Sequence, residues 1–231
     1  MYKRYIETYI NTNYKIYCFW TGNNKMSKNR QEALKSIIDT SNVNVIFITP
    51  KNLDKYIIEP LHPGYKYLSE VHKSDYLRAY FMHYHGGGYS DIKHNNFSWI
   101  PYFEKLYTSN KWAIGYKEIK GGVCSSNKET INNYDKIFGN GMYIFKKNTP
   151  ITIERMNKLH NILDKKLELL KKYPSSFSRD YIGTEIPDTG EISQYPLGWA
   201  EIGGCILADI LYKYREYLLL DMPTINTSNY L

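Results

Sequence analysis

Apolar runs and apolar helical stripes alternate along this chain. Lys15 to Thr21 (KIYCFWT) is a short apolar run closed by Gly22-Asn23-Asn24, the pattern of a buried strand ending in a loop. Ser27 then offers a helix cap, and Ala33, Leu34, Ile37 and Ile38 fall on one helical face. Val43 to Thr49 is a second, β-branched apolar run, stopped by Pro50. Strand, helix and strand at this spacing predict a βαβ unit and therefore parallel strands. Pro60, Pro63 and Gly64 mark a loop. Leu68 to His85 predicts a helix ended by Gly86-Gly87-Gly88, and a strand resumes over Tyr89 to Ile92. Trp112 to Tyr116 and Gly141 to Phe145 are further strand candidates. Thr149-Pro150 is a helix start, and Ile153, Met156, Leu159, Ile162, Leu163, Leu167 and Leu170 carry its stripe to Tyr173-Pro174. Residues 175–190 predict a polar surface loop or lid, 201–212 a last helix and 217–220 a closing strand. With no repeat and no linker, residues 1–231 predict a single α/β domain.

Composition narrows the function classes. At 42% hydrophobic residues the chain is too apolar for disorder. The longest apolar stretches, such as Val45 to Ile48, fall far below the roughly 18 residues of a membrane span, and the start (MYKRYIETYINTNYKIY) lacks the apolar core of a signal peptide. The three cysteines, Cys18, Cys124 and Cys205, are far apart, odd in number and form no CxxC. This predicts neither a disulfide framework nor a cysteine zinc site, and points to a reducing, cytoplasmic setting. The formal charge of +7 admits nucleic acid, an anionic membrane or a phosphorylated substrate as partner. Yet 24 of the 30 basic residues are lysine, and they are scattered. A nucleic-acid footprint is therefore the weaker reading of that charge.

The informative chemistry lies in Ser74-Asp75-Tyr76-Leu77-Arg78-Ala79-Tyr80 and in the following Gly86-Gly87-Gly88-Tyr89-Ser90-Asp91-Ile92-Lys93. On a helix Asp75 and Arg78 share a face. Their neighbours Val71 and Met82 are apolar, which predicts a partly buried ion pair, a costly arrangement unless something uses it. The glycines allow a sharp turn and a close ligand approach, but they fit neither dinucleotide nor P-loop fingerprints. Asp91 falls at a strand end, where open α/β sheets bind ligands.

The helix SDYLRAYFMHYHGGG followed by YSDIK resembles the D-x-x-R…GG-x-Y-x-D-x-D signature of the DXD glycosyltransferases, and IYCFWTG resembles their opening strand. That group includes capsular-polysaccharide-synthesis enzymes, Golgi mannosyltransferases and clostridial glucosylating toxins. The resemblance spans residues 15–93 and implies a Rossmann-like GT-A domain with a mostly parallel sheet. Residues 15–93 would form its nucleotide-sugar-binding half and 94–231 its acceptor-side half. It further implies that Trp20, beside Phe19 and Thr21, stacks on the nucleotide base. Asp75 would bind ribose or sugar hydroxyls, and Arg78 would reach the sugar or diphosphate. Tyr89 would line the ribose pocket with room left by Gly87 and Gly88. Asp91 would contact ribose or a Mn²⁺ or Mg²⁺ ion. The implied activity is retaining transfer of a hexose from a UDP- or GDP-linked donor to a glycan or protein acceptor.

The departure is Lys93, which stands where the family places its second acid. Either Lys93 stabilises the diphosphate leaving group itself, or a metal is held by Asp91 with His94 or a remote acid such as Glu201, or only binding survives. Trp199 and Glu201, in YPLGWAEIGG, are the candidates for an acceptor platform or late site. The remaining histidines, His62, His72, His83, His85 and His160, lack ligand spacing and read as structural or solvated. A non-catalytic sugar-binding module and a basic nucleic-acid-binding protein are the rival functions.

Overall fold

The computed structural model describes residues 11–225, so the signal-peptide reading of the first ten residues lies outside the described residues. Six strands, β1 (Asn11–Phe19), β2 (Val43–Ile48), β3 (Gly87–Ser90), β4 (Ala113–Lys117), β5 (Phe138–Phe145) and β6 (Leu218–Met222), form one sheet in the order β2-β1-β3-β5-β4-β6. The pairs β1–β2, β1–β3 and β4–β6 are parallel. β5 runs against both its neighbours, β3 and β4. The sheet is thus mixed but mostly parallel, with strands from both halves of the chain.

Six α-helices cover it: α1 (Lys28–Thr40), α2 (Glu70–Tyr84), α3 (Ile100–Tyr107), α4 (Lys128–Asn132), α5 (Pro150–Lys172) and α6 (Gly204–Lys213). Side-chain alternation along each strand splits the core into two. Ile16 and Cys18 of β1 face one way, with Ala33, Leu34 and Ile37 of α1 and Trp99, Phe103 and Leu106 at α3. Tyr17 and Phe19 face the other way, toward α2, α5 and α6. The chain therefore leaves β1 through α1 on one face and returns to β3 through α2 on the opposite face. Strand order reverses at that point, which opens a crevice at the carboxyl ends of β1 and β3.

The helix caps explain the helix starts. Ser27 and Ser69 each accept a hydrogen bond from a first-turn amide of α1 and α2, and Thr152 Oγ1 accepts from the Thr149 amide at the start of α5. Several boundaries differ from the sequence reading, among them the starts of β1 at Asn11 and of α6 at Gly204. β3 starts at Gly87, so two glycines lie inside the strand, and β5 starts at Phe138, ahead of the GMYIF segment. α3 and α4 escape a periodicity argument because eight and five residues carry too few turns. The 175–190 segment is anchored. Asp180 is buried, accepting from the Ser176 amide, and Ile182 N–H donates to the Leu197 carbonyl.

The cysteine reading is corrected. Cys124 and Cys205 form a disulfide, Cα–Cα 4.6 Å, across 81 residues of chain. The pairing of the β4–α4 segment with α6 brings them together, and nothing in their spacing announces it. With it goes the cysteine argument for a reducing compartment. Cys18 stays free and buried.

Candidate active site

At the crevice the side chains singled out in the sequence form a continuous chain of charge. Arg78, on α2, places Nη1 3.3 Å from Asp75 Oδ1 and Nη2 3.2 Å from Asp91 Oδ1. Lys93 Nζ lies 3.4 Å from Asp91 Oδ2. All four side chains are at most 15% exposed. Two cations and two carboxylates alternate, so each buried charge has an opposite neighbour. The Asp75–Arg78 helix pair is thus the inner end of a longer array.

Local structure dictates this arrangement. Asp75 and Arg78 are three apart on α2, one turn of the same face. Asp91 leaves the end of β3, its amide donating to the Gly141 carbonyl. Tyr89 Oη donates to Asp91 Oδ1 at 2.5 Å, and the Arg78 guanidinium rests over the Tyr89 ring, 4.6 Å from its centroid. The Lys93 loop is tied down from α1, where Arg30 Nη1 donates to the Ile92 carbonyl at 2.7 Å and Ser36 Oγ accepts from the Asn95 amide. Burial disfavours the Arg78 cation, but Tyr89, Asp91 and Asp75 outweigh it and hold its pKa well above the usual range. Burial also raises the Tyr89 phenol well above its ordinary value, despite the opposing effect of Arg78. Arg78 therefore keeps its charge and Tyr89 keeps its proton.

Three contributors to this site are absent from the sequence reading. Asn140, at the start of the reversed strand β5, accepts from Arg78 Nη1 through its carbonyl at 3.3 Å. Tyr116 crosses from β4 over Gly139 and Gly141, and its Oη accepts from the Gly141 amide. Gly203 lies against Asp75; a Cβ there would stand 2.5 Å from the carboxylate. The GNG run and the GG pair in AEIGG are the signals available, because glycine at a charged site marks close approach.

Several expected donor contacts are redirected. Phe19 is buried, stacked on Tyr89 at 5.5 Å, and supports the site from inside the core. Tyr89 is buried too, so it holds Asp91 and Arg78 instead of lining an open ribose pocket. Gly87 and Gly88 leave no room for a ligand. A Cβ would stand 2.8 Å from the Lys15 carbonyl oxygen at Gly87, whose φ is +89°, and 2.8 Å from the Trp99 ring at Gly88. Glu201 is held by Lys166 at 2.6 Å and by the Gly198 amide at 2.8 Å, which closes the 198–201 turn and removes Glu201 as a metal acid. His94 is exposed and lines a 170 Å³ hollow with Lys93, Asn95, Phe97 and Ile225.

Other predicted positions stay accessible. Trp20 is half-buried, its Nε1 donating to the Asn24 carbonyl at 2.8 Å. With Thr21, Thr49, Leu53, Lys73 and Leu77 it lines a cleft of about 150 Å³. α2 therefore supplies Lys73 and Leu77 to the cleft and Asp75 and Arg78 to the ion array. Thr21 Oγ1 donates to the Glu70 carbonyl. Trp199 is 43% exposed, with Arg179 over its face and Tyr181 at its edge.

The donor set does not fit a divalent cation. Both Asp91 oxygens already face cations, and among the described residues no group of three or more His, Cys, Asp or Glu side chains converges as a metal site. A dication would have to displace Lys93 and would find one carboxylate there, short of the ligation hard ions take.

Among the described residues no helix is long and apolar enough to cross a membrane. No protein family and no curated protein matches the sequence. Among solved structures the chain is similar to the PaToxG glycosyltransferase, at 15% identity over 87% of this chain and 69% of that one, with a TM-score of 0.47.

Proposed function

We propose that the chain is a glycosyltransferase that moves a hexose from a UDP- or GDP-linked donor to a glycan or protein acceptor, with retention and without a metal. One observation carries this reading: the Asp75–Arg78–Asp91–Lys93 array stands at the strand-order reversal, beside the Trp20 cleft. Trp20 offers an aromatic face for the nucleotide base. Asp91 and Lys93 meet the ribose and diphosphate, and Arg78 holds both acids in place. In this reading Lys93 supplies the positive charge that the leaving diphosphate needs, a fixed charge in a water-poor crevice being worth far more than one in solution. Trp199, with Tyr181 and Arg179, forms the acceptor platform.

The test is donor hydrolysis and transfer measured with Mn²⁺, Mg²⁺ or EDTA, beside thermal shift with each nucleotide. Turnover that survives EDTA supports the reading, as does a rise in melting temperature with UDP or GDP. Complete loss of turnover under EDTA would overturn the role given to Lys93. A Lys93→Asp variant that leaves UDP binding unchanged, in a protein that never turns over any donor, would favour a non-catalytic binding module.

A further inference from the structure

The three cysteines are of two chemical kinds. Cys18 is fully buried on β1; burial, reinforced by the Asp91 carboxylate, pushes its thiol well above the ordinary range, so it stays protonated and unreactive. Cys124 and Cys205 are only half-buried and are joined to each other.

Their bond reaches the site through glycines. Cys124 belongs to the 118–127 segment and Cys205 is the second residue of α6. Between the bridge and the ion array stands Gly204, where a Cβ would lie 3.8 Å from Cys124 Cβ and 3.6 Å from Asn140 Nδ2. Its neighbour Gly203 lies against the Asp75 carboxylate, and the Asn140 carbonyl accepts from Arg78. The bridge therefore pins the turn that backs both ends of the Asp75–Arg78 pair. Besides the bridge, the segment it tethers has few ties, among them Glu118 N–H donating to the Ile137 carbonyl. Gly121 has φ +84° and open space around it, Gly122 is exposed, Ser125 Oγ donates to Asp209 Oδ1 at 2.5 Å, and Val123 packs on the core.

We propose that Cys124–Cys205 is a thiol-exchange site, open to a dithiol reductant, whose state sets how firmly the 198–204 turn seats on Asp75 and so how tightly the site holds a donor. The last clause rests on the glycosyltransferase reading. A thiolate of the reductant attacks one sulfur of the pair and forms a mixed disulfide, while the other cysteine leaves as a thiolate and is protonated. The second thiol of the reductant then displaces the first cysteine, which also takes up a proton. Two electrons and two protons pass to the protein, and the reductant ends as its own disulfide. Reduction frees the 118–127 segment and loosens the turn, while the fold is left to its hydrophobic cores.

The test uses the full chain, air-oxidised or treated with dithiothreitol. Thiol titration in denaturant gives one thiol before reduction and three after; three thiols in the oxidised protein would overturn the proposal. Hydrogen exchange in peptides covering 118–127 and 198–207 accelerates about tenfold or more on reduction, as expected when a local cross-link is lost, while β1 and β3 are unchanged. Identical exchange in both states would overturn it. Retention of UDP and hydrolysis of UDP-glucose and GDP-mannose fall several-fold on reduction. Cys124→Ser shows the same loss without dithiothreitol and no further response to it. Equal donor handling in both states, where a donor is handled at all, would overturn the coupling. If neither state binds any nucleotide, the glycosyltransferase reading fails, and the exchange data alone decide for or against the thiol switch.

Discussion

The two faces of the sheet are built from different materials. Under α1 and α3 the core is mainly Ile16, Cys18, Leu34, Ile37, Trp99, Phe103, Ile114 and Ile144, a layer whose main task is to exclude water. Under α2, α5 and α6 the core is crowded with phenols and buried polar groups. Tyr76 Oη accepts from the His62 amide, and Tyr80 Oη accepts from the amides of Ile58 and Glu59. His72 sits fully buried between Ser69, Tyr195 and the Gly198 carbonyl. Arg155 is 1% exposed and donates to Tyr143 Oη. Asp75, Arg78 and the Tyr89 support of Asp91 belong to this second face, while Lys93 and Tyr116 meet them from the first. Most of these polar atoms are hydrogen-bonded, although Arg78 Nε and Arg155 Nε and Nη2 have no partner; a paired polar interior specifies geometry where the first face mainly supplies stability. Tyr89 shows the link: its ring carries Arg78, its hydroxyl holds Asp91, and Phe19 stacks on it from within the core.

The sharpest way to break this contrast is Arg78→Met. It leaves Asp75 without its cation and Asp91 with Lys93 alone. Unfolding in urea should show a loss of about 3–5 kcal/mol, the usual effect of removing one partner from a buried pair. Donor turnover should disappear even under conditions where the variant stays folded. On the plain face, Ile37→Ala should cost about 2–4 kcal/mol, as a buried aliphatic truncation does. Nucleotide affinity, measured by calorimetry on the folded fraction, should not move. Should it fall in step with stability, the two faces are not functionally separate. Gly88→Ala presses a methyl group onto the Trp99 ring. A loss of about 1–3 kcal/mol from overpacking is expected, with the urea m-value unchanged.

The smallest effect concerns pH. Burial holds His83, His85 and His160 below their ordinary pKa, with the His85 shift partly opposed by its hydrogen bond to the Tyr56 carbonyl. As pH falls through about 6.5 the unfolded chain takes up protons that the folded chain refuses. Stability is thus full at neutral pH and declines toward pH 5, by a few degrees of melting temperature at most. His160→Gln should flatten that decline; a melting temperature rising toward pH 5 would contradict the histidine assignment.

The sequence makes one half of this site legible and hides the other. Asp75, Arg78, Asp91 and Lys93 lie within nineteen residues, joined by a helix and a short strand, and local spacing suffices to bring them together. Asn140, Tyr116 and Gly203 reach the same point only through sheet order and the reversal of β5, which no local pattern encodes. The direction of a side chain is equally hidden. The Gly87-Gly88 pair reads as space for a ligand, yet Lys15 and Trp99 fill it. The cysteine pair fails for the same reason, its 81-residue separation being closed by tertiary packing.

The seat of Asp75 against Gly203 ties the readiness of the site to the arrival of the turn before α6. About 130 residues separate the two, so a ribosome has long released Asp75 and Arg78 before their backing glycine exists. Contacts this distant in sequence form late, after the local elements. A nascent or truncated chain ending before α6 can hold much of the sheet and still present an unbacked carboxylate. The ion array therefore reaches its final form only after α6 has been made and packed.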